Sequence, residues 1–347
     1  MITAALAILL SQAHAAKVPF SGEGHAYHPV FSPDGKYVAF EVNRYEGKIE
    51  LFIARVDGDR ADAAAKVTLP SGSSFEGDTV TVNPVWVPEG GVVFEGSNAG
   101  GTYRLYFGLP GGGAASEMVK PTEVDGHLTF PTVSPDGKNL GFVAKKTGNG
   151  DVRIRNTSTG KISHVTQTEG SESFPVFSPN GKEMLYSRKS ENTEDLFAMD
   201  LRTEAERRLA GGSGDQTRPA YAAEGRVVFF DSTRDDGHWD VVVIDGEGKG
   251  RTVLGEDIRL PLRGRPALSA DGEWVAYGFD APTKADRLVL ARVDGTKKVE
   301  IKTDQSACGE PALTDVKGRT VLAYTALPTS GSEWRFLMLR DVTDQLK

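Results

Sequence analysis

The chain has a single cysteine, Cys308, in 347 residues, so no intrachain disulfide can form and stability has to come from packing. A lone thiol of this kind reads as a small buried side chain. Positive charge is in deficit, with 40 Lys and Arg against 48 Asp and Glu. That balance disfavours a phosphate-binding surface, so nucleic acid is not expected as a partner. Past the first fifteen residues there is no long hydrophobic run and no helical period, which leaves no candidate membrane span and no helical bundle. Also missing are an H-E-x-x-H pair and any serine with glycines at both flanking second positions, the signs of a zinc peptidase helix and of a hydrolase nucleophile elbow. No second domain and no low-complexity linker stands out.

What the chain has is repetition. Pro29, Pro84, Pro131, Pro175, Pro219, Pro266 and Pro311 are spaced by 55, 47, 44, 44, 47 and 45 residues. Each opens a similar segment: HPVFSPDGKYVAF, NPVWVPEGGVVF, FPTVSPDGKNLGFV, FPVFSPNGKEMLY, RPAYAAEGRVVFF, RPALSADGEWVAY and EPALTDVKGRTVLAY. In Ser-Pro-Asp-Gly, Pro33 presets φ, Asp34 bonds its own backbone and Gly35 accepts positive φ, so two strands flank the turn. Proline gives a ladder no N–H and belongs at a strand start or a sheet edge. Both conditions suit an innermost strand facing a central channel.

A second strand pair follows each copy. The apolar runs IELFIARV, YRLYFGL, VRIRNTS, DLFAMDL, WDVVVID, RLVLARV and WRFLMLRD come after polar loops. Shorter segments AKVTLP, MVKPT, KISHVT, RRLA, RTVLG and KKVEIK come next, and the seventh repeat lacks one. A period in the forties with four strands per repeat predicts an all-β propeller of seven antiparallel blades. The missing strand is expected at the other end of the chain, in AKVPF from Ala16 to Phe20, whose pairing with the last blade would close the ring and remove two open edges. The length exceeds what one hydrophobic core usually serves, about 250 to 300 residues, and a propeller avoids that limit by packing blade on blade.

Residues 1–15, MITAALAILLSQAHA, form an apolar run ending in Ala13-His14-Ala15, a small-x-small pattern suited to signal peptidase. They are expected to be a secretory signal, with a single propeller domain over residues 16–347 that is periplasmic or secreted. No cysteine stands at the cleavage point for a lipid anchor.

The pattern "fPxfSPDGkxiaF", a polar loop, an apolar strand and a short strand like "rrLT" resembles the TolB-type repeat, a relative of the WD repeats, over nearly all of residues 17–342. The resemblance implies a periplasmic propeller, and in TolB proteins that propeller binds a peptidoglycan-associated lipoprotein. Two features depart from TolB: repeats begin soon after the expected cleavage site, where TolB carries an α/β domain, and seven repeats are counted where TolB usually has six blades. Six blades is the alternative count.

Strand order separates two faces. Residues just before each proline lie opposite the Ser-Pro-Asp-Gly turns, together with the loops between second and third strands. His28, Asn83, Phe130, Phe174, Arg218, Arg265 and Glu310 are therefore the channel-mouth candidates, with Arg44, Lys145, Arg188, Arg234 and His238 in loops of the same face. Two arginines among them would suit a carboxylate or a peptide segment through bidentate bonds. His25 and His28 at i, i+3 are a weak metal pair with no carboxylate motif beside them, and no cofactor is expected. Asp231, Asp235, Asp236 and Asp240 do not keep the alternate spacing of a calcium loop and read as a polar hairpin. The functional expectation is a monomeric, non-enzymatic module that binds an envelope protein or peptide. The alternative is a propeller lyase or glycosidase whose site is assembled from single residues on different blades.

Overall fold

In a computed structural model, described for residues 15–44, 47–70, 79–97, 101–146, 148–232, 238–258, 260–279, 287–305, 307–328 and 331–347, the turns set the pattern. Ser32 Oγ donates to Asp34 Oδ1 at 2.7 Å and accepts from Tyr37 N at 2.9 Å, while Gly35 stands at φ 66°. The same Ser-to-Asp or Ser-to-Asn clasp recurs at Ser134, Ser178 and Ser269. Each turn locks the first two strands of a repeat into one antiparallel hairpin.

Among the described residues the strands group into seven four-stranded antiparallel blades, with blades one and two and blades five and six joined at their edges into larger sheets. The inner, second, third and outer strands of blade one are His25–Phe31, Tyr37–Asn43, Ile49–Asp57 and Ala65–Thr68. Blade two is Val80–Trp86, Val92–Ser97, Tyr103–Gly108 and Ser116–Glu117. Its outer strand is thus short and ends before MVKPT, the segment expected to form it. The inner strands of blades three to five are His127–Val133, Ser171–Phe177 and Gln216–Tyr221, and blade six keeps only Ala267–Leu268. Blade seven is Ala307–Val316, Arg319–Leu327 and Phe336–Asp341, and its fourth strand is Ala16–Lys17 from the other end of the chain, with Ala16 opposite Leu339 and Lys17 opposite Met338.

The core is divided in the same way. Seven buried clusters lie between neighbouring sheets, such as Ala39, Leu51 and Ile53 against Trp86, Val92 and Phe94. One of them packs Phe40 and Phe52 of the first blade against Val18, Ala323, Leu337 and Leu339 of the last. Cys308 is buried between blades six and seven, as expected of a packing thiol. Among the described residues no helix is long and apolar enough to cross a membrane.

One local feature differs from the sequence expectation. The repeat prolines do not start their strands; Pro29 is the fifth residue of His25–Phe31, and Pro84, Pro131, Pro175 and Pro311 hold the same position. Each sits in a bulge: Tyr27 faces Glu41 and Val30 faces Ala39, so residues 28 and 29 together oppose one partner residue. A bulge is a place inside a sheet that tolerates a residue with no N–H.

Candidate functional site at the channel mouth

The bulge has a cost and a consequence. In six of the seven repeats the residue before proline is a non-glycine at positive φ: His28 46°, Asn83 54°, Phe130 51°, Phe174 50°, Arg218 56° and Glu310 49°. Left-handed backbone is unfavourable for such residues, and proline disfavours helical backbone in the residue before it. The turn re-aims these side chains at the place where the inner strands converge. There a cavity of about 640 Å³ takes residues from all seven repeats, among them His28, Asn83, Phe130, Phe174, Phe230, Arg265 and Glu310. Its walls are largely apolar, with Tyr27, Val30, Trp86 and the tilted pair Phe130 and Phe174, ring centres 4.4 Å apart.

Buried carboxylates of the second strands hold this geometry. Glu41 Oε1 accepts from His28 Nδ1 at 2.9 Å and from the Asn83 amide at 2.8 Å, linking blade one to blade two. Glu95 Oε1 accepts from Asn83 Nδ2 at 2.7 Å and from the Phe130 amide at 2.6 Å, linking blades two and three. Ser187 accepts the Arg218 amide at 3.2 Å in the same relation between blades four and five. Burial pushes the Glu95 carboxyl up to about 7, against the two hydrogen bonds that favour its charged form. Sequence reasoning missed Glu41 and Glu95, although each is the charged residue inside an otherwise apolar strand, YVAFEVN and VVFEGS.

Blade six departs from the others, and Arg265 is the pre-proline residue without positive φ. Residues 260–265, LPLRGR, stay out of the sheet and cross the mouth as a strap. Arg218 Nη1 donates to the carbonyls of Pro261 at 2.8 Å and Gly264 at 3.2 Å. Glu310 Oε1 accepts from the Leu262 amide at 2.6 Å, and Arg263 Nε lies 3.1 Å from Glu41 Oε2. Arg265 reaches the carbonyls of Pro219 at 3.1 Å and Pro175 at 2.6 Å. Burial lowers the Arg265 guanidinium to about 10, with nearby Arg218 acting the same way, and burial raises the Glu310 carboxyl. Leu262 itself remains 58% exposed.

The seven mouth candidates therefore come together, while the loop candidates do not join them. Arg44 bonds Glu50 at 2.7 Å and the carbonyls of Ser21 and Glu23, lying over Phe20 and Phe52. Arg188 bonds Glu172 and Glu206 at 2.6 Å and covers Phe197. Lys145 is an exposed strand end opposite His127. His238 is exposed and pairs with Asp257 at 3.1 Å, and Arg234 lies outside the described residues. His25 accepts the Arg335 amide at 3.1 Å through Nδ1 and lies tilted against Trp334, ring centres 5.3 Å apart. Among the described residues no group of three or more His, Cys, Asp or Glu is placed to hold a metal. Asp231 and Asp240 face each other across the ladder; Asp235 and Asp236 lie outside the described residues.

Residues 113–257 match the family described as the TolB beta propeller domain. No curated protein matches in sequence. Among solved structures, TolB from Acinetobacter baumannii is 18% identical over 83% of this chain and 66% of its own, with a TM-score of 0.59. Oligogalacturonate lyase from Vibrio parahaemolyticus is 12% identical over 97% of this chain and 93% of its own, with a TM-score of 0.65. A puromycin-hydrolyzing peptidase from Mycobacterium tuberculosis is 15% identical over 90% of this chain and 52% of its own, with a TM-score of 0.64. The chain thus spans about two thirds of that TolB and about half of the peptidase. At these identities the likeness establishes the propeller and leaves the chemistry to the residues.

Proposed function

We propose that this chain, a TolB-like β-propeller, is an exported binding module of the cell envelope that takes a protein or peptide segment at the loop-face mouth of its channel. The observation that carries the reading is the composition of the mouth: apolar and aromatic walls, with its charged groups already committed to backbone and to each other. Such a surface offers shape and burial for an apolar segment, and fixed hydrogen-bonding groups for orientation. Export rests on residues 1–15, and cleavage before Ala16 would free the segment that pairs with Leu339 and Met338.

The test uses the mature chain, residues 16–347, as bait against an envelope fraction, beside a Phe130→Ala, Phe174→Ala double variant. A partner retained by the first and lost by the second, at matched melting temperature, supports the reading. Equal capture by both, or none by either, refutes it. Amino-terminal sequencing of the exported protein checks the cleavage site.

A second reading has one observation behind it: the oligogalacturonate lyase is matched over nearly the whole of both chains, as an enzyme built from a lone propeller would be. Incubation of the mature chain with oligogalacturonate, followed by separation of products, decides it; an unchanged substrate removes the reading.

A further inference from the structure

We propose that residues 260–265 are an internal pseudo-ligand, filling in cis a site that reads a bent peptide segment with a basic side chain followed by a small residue at the bend. The inference rests on the binding-module reading and adds what the mouth recognises and what stands in its way.

The strap is held as a bound peptide is held. Its carbonyls at 261 and 264 take donors from Arg218, and its amide at 262 gives to Glu310, so two blades read its backbone. Arg263 points to Glu41, a buried carboxylate that also holds His28. That pairing is a charge complement for one basic side chain. Gly264 stands at φ +81°, and a Cβ there would come within 2.7 Å of His28 Nε2, so the next position takes only a small residue. These contacts join residues from blades one, five and seven to one segment.

The strap also has somewhere else to go. In six repeats the inner strand begins two or three residues before the pre-proline residue, as in HAYHPVF and SESFPVF. By the same alignment LRGRPAL should be the inner strand of blade six, yet only Ala267 and Leu268 pair, with Ala276 and Val275. The first part of that strand has been diverted across the mouth. Laying residues 264 and 265 back beside Gly278 and Tyr277, next to the Ile258 and Phe279 pair that already holds this edge, would bring blade six closer to the pattern of the other blades and release Arg218, Glu310 and Glu41 to a peptide arriving from outside. A ligand shifts such an equilibrium only by its differential affinity for the open state, so the strap sets a threshold for entry.

The test is a synthetic fluorescent peptide of residues 260–266, LPLRGRP, titrated into three proteins and followed by anisotropy. The native mature chain should not bind it. A variant with residues 260–264 replaced by Gly and Ser should bind it saturably, and adding Glu41→Gln or Glu310→Gln should weaken that binding at least tenfold. Gly264→Val, which keeps the strap but drives it into His28, should also admit the peptide and should speed amide exchange at Leu262; it serves where the replaced variant does not fold. A cooperatively melting replaced variant that fails to bind, or native protein that binds as tightly as the replaced one, overturns the inference. Neither result bears on capture of an envelope partner, which is lost only if the mouth itself is not a binding surface.

Discussion

Glu95 should make this protein lose stability as pH rises from mildly acid to mildly alkaline. Its carboxyl is buried in blade two and held by Asn83 Nδ2 and the Phe130 amide. Burial raises it from the usual 4.5 to about 7. A folded state that keeps its proton to higher pH than the unfolded chain binds more protons between those two values, so stability is greatest below the lower one and falls through the upper one. At about 1.4 kcal/mol per pH unit the full effect is about 3 kcal/mol, of which about 2.5 falls between pH 5 and pH 8. Glu95→Gln keeps an oxygen for Asn83 and Phe130 but cannot ionise. Guanidinium unfolding of both proteins at the two pH values should show the native chain losing about 2 to 3 kcal/mol more than the variant over that range. Two curves that fall in parallel would show that Glu95 is ionised in the fold, and the account of the blade-two carboxylate would be wrong.

Three further outcomes follow from packing. Deleting residues 17–20 removes Val18, buried beside Leu337 and Leu339, and Phe20, whose ring lies 5.7 Å from Phe40; a loss of about 3 to 5 kcal/mol and a melting point lower by several degrees are expected, and an unchanged melting curve refutes the pairing with the last blade. Trp86→Phe removes the 2.9 Å bond from Nε1 to the Val30 carbonyl between blades one and two, which should cost about 1 kcal/mol; no measurable change would mean the bond is replaced by water. Arg265→Met strands the carbonyls of Pro175 and Pro219 in a buried place and should destabilise by about 2 to 4 kcal/mol, whereas a neutral effect would mean Arg265 is free to meet a ligand.

The parts of this fold visible in the sequence are those built from neighbours in the chain. Ser32, Asp34 and Gly35 make their turn within four residues, so the motif and its structure are the same object. The pairing of Ala16 with Leu339 was legible for a different reason, since seven repeats with six outer strands leave one strand owing. What the sequence hid depends on distance. Nothing local in Glu41 says that it will receive the amide of Asn83 and the side chains of His28 and Arg263, residues that lie on three different blade segments. Nor does LRGRPAL look unlike its counterparts, although it alone leaves its sheet. The bulge was hidden too: proline read as a strand opener becomes a mid-strand residue because the bulge, not the strand end, removes the need for its N–H.

The strained residues before proline tie these levels together. Each non-glycine at positive φ costs on the order of 1 kcal/mol or more, and of the six before a repeat proline five line one cavity while Arg218 holds the strap beside it. A fold that only needed stability would place glycine there, or drop the bulge and keep a full ladder. Instead His, Asn, Phe, Phe, Arg and Glu occupy the positions, and the next blade's strain is steadied from behind by Glu41, Glu95 and Ser187 accepting the strained amides of Asn83, Phe130 and Arg218. Strain held in place by a neighbouring blade fixes each side chain's direction without fixing its identity. That is the condition under which a ring of repeats can keep one geometry while each position is free to carry a different group into the mouth, and under the proposed function it is the variable residues, rather than the turns, that carry the binding chemistry.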